Sequence, residues 1–70
     1  MDVNLVQKIN KLIDNLNKKQ KRIAKNLLLD KNKRFFENPV RNENHIFFEC
    51  MKTNQSYHFI TYVKNKCNCD

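Results

Sequence analysis

Apolar residues recur at helical spacing through the first half of the chain. Leu5, Ile9, Leu12, Ile13 and Leu16 fall at i, i+4, i+7, i+8 and i+11, one face of a 3.6-residue period. Ile23, Ala24, Leu27 and Leu28 form a second stripe. Between the stripes, Asn17-Lys18-Lys19-Gln20 has the form of a capping box. Asn17 would accept a backbone N–H and Gln20 would reach back to the Asn17 N–H. The pattern predicts two helices, about 3–16 and 18–31, joined as an αα-hairpin, with Asp2 as the first N-cap. The competing reading is one continuous helix in a coiled-coil register. That register meets Lys19 and Asn26 at seam positions, and two polar interruptions in so short a seam favour the hairpin.

The second half changes period. His45–Lys52 and Tyr57–Lys64 are rich in aromatic and β-branched residues, and Thr53-Asn54-Gln55-Ser56 reads as the turn between them. Asn38-Pro39 stops whatever precedes it, because the residue before proline avoids the α region. Phe35 and Phe36 read as the end of the second helix or a separate turn, and residues 37–44 as a connecting loop. With Thr53 facing Ser56, Ile46 pairs with Val63, Phe48 with Thr61, Cys50 with Phe59 and Lys52 with Tyr57. That face is apolar and is expected to pack on the helices. The other face pairs Phe47 with Tyr62, Glu49 with Ile60 and Met51 with His58. The expected fold is α+β: an N-terminal αα-hairpin of two amphipathic helices packed on a C-terminal two-stranded antiparallel β-hairpin. It is a single small domain over 1–70, with a basic helical half at 1–34, a β-hairpin at 45–64 and a frayed, Cys-containing tail at 65–70.

Composition narrows the chemistry. None of the 70 residues is glycine. Walker A loops, dinucleotide fingerprints and nucleophile elbows all need glycine for tight turns or close approach to phosphate. Ser56 is the only serine, and so short a chain leaves little room for a pocket of several hundred Å³. An enzyme is not expected, and neither is a cofactor. A core of this size supplies roughly 3–5 kcal/mol of net stability or less, so help from a partner or a second copy is in keeping with it. Charges interrupt residues 1–20, and no apolar run approaches the ~20 residues of a membrane span. A soluble, cytoplasmic protein is expected, with its three cysteines as thiols.

Charge is the feature that position changes most. The formal net charge is +7. Twelve Asn and eleven Lys make a third of the chain; both have A/T-rich codons, so an AT-rich genome explains part of the excess. It does not explain the distribution. Residues 1–34 carry ten Lys and Arg against three Asp, while residues 35–70 balance four against four. Lys18, Lys21, Arg22 and Lys25 fall at i, i+3, i+4 and i+7 of the second helix, with Lys8 and Lys11 on the first. Such a surface neutralises backbone phosphates and releases counterions. With only three Arg, sequence-independent contact is favoured over base reading.

Two further constellations stand beside it. Phe47, Met51, His58, Ile60 and Tyr62 form an apolar partner face if the outer side of the hairpin is left open. His45, Cys50, His58, Cys67 and Cys69 are zinc-type ligands. Cys67-x-Cys69 is too closely spaced for a knuckle, however, and the strand register points Cys50 away from both histidines. No metal is therefore expected. Leu16–Leu29 (LNKKQKRIAKNLLL) is similar to the first helix of RpiR-type helix-turn-helix regulators over about a fifth of the chain. Pro39 and a hairpin follow instead of the further helices of that pattern, so no residues are carried over.

The expected function is that of a small basic, non-enzymatic accessory protein contacting nucleic acid or a ribonucleoprotein through Lys8, Lys11, Lys18, Lys21, Arg22 and Lys25. The alternative is a phage- or virus-encoded inhibitor, such as an anti-CRISPR or other anti-defence protein, docking on an acidic surface of a host protein. A helix-mediated homodimer is a third expectation, and contact with a membrane is not expected.

Overall fold

The computed structural model describes residues 3–67. Its elements run α1 (Val3–Asp14), α2 (Lys18–Leu29), β1 (Lys33–Val40), β2 (Glu43–Cys50), β3 (Gln55–His58) and α3 (Phe59–Cys67). The class is α+β, with the two expected N-terminal helices. The expected N-cap Asp2 lies outside the described residues. The break between α1 and α2 is built as the local signals require. Asn17 Oδ1 accepts the Gln20 N–H at 2.8 Å, and Gln20 Oε1 accepts the Asn17 N–H at 3.0 Å. Gln20 is buried with its polar end satisfied by this exchange. The helices are therefore two, not one continuous coil.

The sheet departs from the expected two-stranded hairpin. It is three-stranded and antiparallel, in the order β1-β2-β3. Its first strand occupies what reads as helix end and loop. Phe35 faces Phe48 and Phe36 faces Phe47 across the β1–β2 ladder. Arg41 (φ 52°) and Asn42 (φ 67°) turn the chain between Val40 and Glu43. Two successive positive φ values are those of a type I′ turn, which usually takes Asn-Gly or Gly-Gly. A chain without glycine hides this turn. Pro39 fits because β1 is an edge strand. The pair flanking a two-residue loop is hydrogen-bonded and pairs alternate along the ladder. Pro39, one step further, therefore has its nitrogen on the open edge, where no bond is lost.

The other correction is at the C-terminal end. The turn is Met51-Lys52-Thr53-Asn54, with Asn54 at φ 57° and its N–H bonded to the Cys50 carbonyl at 2.7 Å. Phe48 then faces Tyr57, and Phe47 faces His58. Relative to the expected register, the partner of Phe48 moves from Thr61 to Tyr57, an even step. Both registers therefore keep Phe48 and Tyr57 on the inner face. After His58 the strand ends and α3 begins, so Phe59, Ile60, Thr61, Tyr62, Val63 and Lys64 are helical. The positions expected in the frayed tail up to Cys67 are helical too.

All three helices contribute to one core on the inner side of the sheet. Ile9, Ile13, Leu16, Ala24 and Leu27 meet Phe35, Ile46, Phe48, Phe59 and Val63. Phe48 and Phe59 are fully buried. Phe35 packs edge-on to Phe59 at 5.2 Å, and Phe48 edge-on to Tyr62 at 4.9 Å between ring centres. Such contacts add to the burial of large apolar rings. Among the described residues, no helix covers the outer side of the sheet, where Phe36, Phe47, His45 and His58 are half-buried.

Candidate nucleic-acid interface

The inward face of α2 is settled by Gln20, Ala24 and Leu27. At 100° per residue this leaves Lys18, Lys21, Arg22 and Lys25 on the outward arc. Lys18, Arg22 and Lys25 are exposed, and Lys21 is partly so. Lys19, absent from the sequence expectation, is exposed as well. Its signal was available: it lies three residues before Arg22, a neighbouring position on a helix surface. The helix KKQKRIAKNLLL contains five cations and no acid. None of the five is in an ion pair among the described residues, whereas Lys8, Lys33 and Arg34 are paired with Glu37, Asp30 and Glu49.

The two α1 lysines do not join this stripe in one hollow. Lys8 and Lys11 line a depression with Leu12, Glu37, Asn44 and Ile46, to which α2 contributes nothing. Lys8 Nζ grips both Glu37 carboxylate oxygens, at 2.8 and 3.0 Å. The pair is solvent-accessible, so it contributes little stability and is screened by salt. Lys33 and Asp30 hold the entry to β1 in the same manner. The backbone N–H of Asn32 and then the Lys33 ammonium keep the Asp30 carboxyl below the usual carboxylate range. Asp30 in turn pushes the Lys33 ammonium up.

The expected apolar partner face is dispersed. Phe47 and His58 share the outer sheet face. Met51 is exposed in the turn, Ile60 is on α3, and Tyr62 packs inward on Phe48. What the outer face holds instead is an aromatic run that the sequence reading missed. Phe36 stacks on Phe47 at 5.8 Å, Phe47 meets His58 edge-on at 5.3 Å, and His58 sits 5.1 Å from His45. Only the register reveals that His45 and His58 are diagonal neighbours across the ladder. Burial, and then the neighbouring His45, hold the His58 imidazole below its usual range.

The zinc-type residues are not gathered. Cys50 is a free, half-buried thiol on the inner side of the sheet. Cys67 is disulfide-bonded, contrary to the expectation of three thiols. Cys69 lies outside the described residues. Among the described residues, no group of three or more His, Cys, Asp or Glu side chains is placed to hold a metal ion. The surface does carry open hollows of about 330 to 460 Å³, so length alone does not exclude a small ligand. One of about 420 Å³ lies between α2 and α3, lined by Ile23, Asn26, Leu27 and Tyr62 with Lys33 and Lys66 at its edge. Among the described residues, no helix is long and apolar enough to cross a membrane. No protein family, curated protein or solved structure matches this chain.

Proposed function

We propose that the protein is a small basic, non-enzymatic, intracellular binding module whose α2 helix contacts the phosphate backbone of nucleic acid, free or within a ribonucleoprotein. One observation carries this reading. Lys18, Lys19, Lys21, Arg22 and Lys25 share one helix with no acidic residue, and none is neutralised by an ion pair among the described residues. Cations needed only for solubility have no reason to cluster this way, since like charges three or four apart destabilise a helix slightly. The stripe from Lys18 to Lys25 is about 10 Å long at 1.5 Å per residue. A single strand of duplex presents about three phosphates over that length. Lys8 and Lys11 play at most an auxiliary part, because they open onto a different hollow and Lys8 is engaged by Glu37.

The test is binding to duplex and single-stranded DNA and RNA of random sequence, followed from low to moderate salt. With about three phosphates neutralised, log K should fall with log salt at a slope of about −3. K21Q/R22Q/K25Q, which leaves Lys18 and Lys19 in place, should bring the slope to about −1. Undetectable binding at low salt, or salt-independent affinity, rules the reading out. The alternative, a phage- or virus-encoded modulator that binds a protein, draws on the uncovered outer face with Phe36 and Phe47. A stoichiometric protein partner that survives nuclease treatment in a pull-down would favour it.

A further inference from the structure

The outer sheet face contains a hydrogen-bond chain whose protonation state its geometry determines. His58 is the residue just before α3, and its Nδ1 accepts the backbone N–H of Thr61 at 3.2 Å. This is the bond an N-cap serine or aspartate usually makes to the third residue of a helix. Accepting it means that Nδ1 carries no proton. In the neutral ring the proton is then on Nε2. His58 Nε2 lies 3.0 Å from His45 Nδ1, so it donates and His45 Nδ1 accepts. The His45 proton must then be on Nε2, which faces the Glu43 carboxylate at 3.4 Å. One tautomer on each ring satisfies all three contacts.

An added proton has no comfortable position. On His58 Nδ1 it opposes the Thr61 N–H. On His45 Nδ1 it opposes the His58 N–H, and His58 can yield only by moving its own proton to Nδ1, against Thr61. Either way a donor faces a donor, and a cation is placed beside the N-terminus of α3, where the helix dipole disfavours it. A metal ion shared by the two rings meets the same obstacle. Binding at His58 Nε2 would push the proton onto Nδ1.

We propose that the His45–His58 pair is a proton-operated latch that caps the first turn of α3 when both rings are neutral and loosens that turn when the pair takes up a proton. The surroundings are consistent with this. Tyr57 on β3, and Tyr62 and Lys66 on α3, line the hollow beside His58, and none offers it an acidic partner. Lys66 Nζ lies over the Tyr62 ring, 5.5 Å from its centre. On β2, Glu43 acts through His45. Glu49, beyond Phe47 on the same face, is taken by Arg34 of β1. Phe59 and Val63 anchor α3 in the core in either state, so the change is confined to its first turn.

Long-range proton–nitrogen NMR spectra of the full chain read the tautomers directly. At about pH 7.5, both rings are expected neutral with the proton on Nε2. On acidification to about pH 5, amide exchange at Thr61, corrected for its intrinsic rate, should rise about fivefold, the size of a lost cap. Exchange at Ile13 in α1 should rise by no more than the loss of global stability requires. His58→Asn keeps a side-chain acceptor but cannot titrate, and should abolish the acid response. His45→Gln leaves the cap in place. It should retain the response, with the His58 titration moved upward because the lowering effect of His45 is gone. The latch is overturned by a His58 Nδ1–H tautomer at pH 7.5, by Thr61 exchange indifferent to protonation, or by a response that survives His58→Asn or vanishes with His45→Gln.

Discussion

The two halves of the molecule are specified in different ways. In α1 and α2 the signals are local: a helical stripe, a capping box and a charge-bearing outward face, each readable within a dozen residues. The sheet and α3 have few such signals. Their turns use Arg41, Asn42 and Asn54 at positive φ where glycine would be usual. A segment of high strand propensity becomes a helix, and the strand preceding it is only four residues long. Helix α2 presents its cations without ion pairs among the described residues, while Lys8 of α1 is held by Glu37 and the sheet ties Arg34 to Glu49. Where local signals are complete, the outward surface is free to carry function. Where they are weak, side chains are spent on holding the chain together.

The difference can be broken at several points. The largest effect is expected in the half without local signals. Phe48→Ala removes a fully buried ring that touches Phe35, Tyr57 and Tyr62, and should cost about 3–5 kcal/mol. For a domain of this size that approaches the whole stability, so circular dichroism at 25 °C should show a largely unfolded chain. K21Q/R22Q/K25Q should act in the opposite manner. Its urea midpoint should stay within about 0.5 kcal/mol of the parent, while nucleic-acid affinity at low salt drops at least tenfold. If that variant unfolded instead, the basic face would belong to the fold and the contrast would collapse.

Asn17→Ala tests whether the helical half depends on its local signal. Loss of the capping box should cost about 1 kcal/mol in urea denaturation. Replacing Arg41-Asn42 by Asn-Gly supplies the residues that the type I′ turn prefers, and should raise stability by about 0.5–1 kcal/mol. The smallest effect is the pH dependence from His58. Its folded-state imidazole titrates below the ordinary 6.5, so the unfolded chain binds its proton first. The contribution is therefore complete above about pH 6.5 and fades as pH falls through the lowered folded-state value. The melting temperature of the parent should decline over that interval by more than that of His58→Asn.

How far each element was legible follows from its period. Residues 59 and 63 are both buried whether the segment is a strand or a helix, because a spacing of four is even and also close to one helical turn. Phe59 and Val63 were thus placed in the core for either reading, and the two readings are separated by Thr61, inward in the strand reading but exposed in α3, and by Tyr62. In a strand beside Phe59 it would face outward, but in α3 it packs on Phe48. The same parity explains why the inner position of Phe48 was legible although its partner was not. Phe35 and Phe36 form too short a run to announce a strand, and Pro39 reads as a stop unless the strand is known to lie on an edge. The α2 cations were legible because helix geometry alone orients them. The His45–His58 contact was not, because it depends on a register four residues away from the expected one.

What the chain settles by itself is its class, the two N-terminal helices with the capping box between them, the inward set of apolar residues and the basic face of α2. All of these rest on interactions within about one helical turn or on side-chain alternation. The tertiary structure decided the third strand, the conversion of residues 59–67 to a helix, the pairing of Lys8 with Glu37 and the histidine pair on the open sheet face. These depend on which distant segment lies opposite. That choice is made by burying Phe35, Phe48 and Phe59 together, an energy that no local window contains.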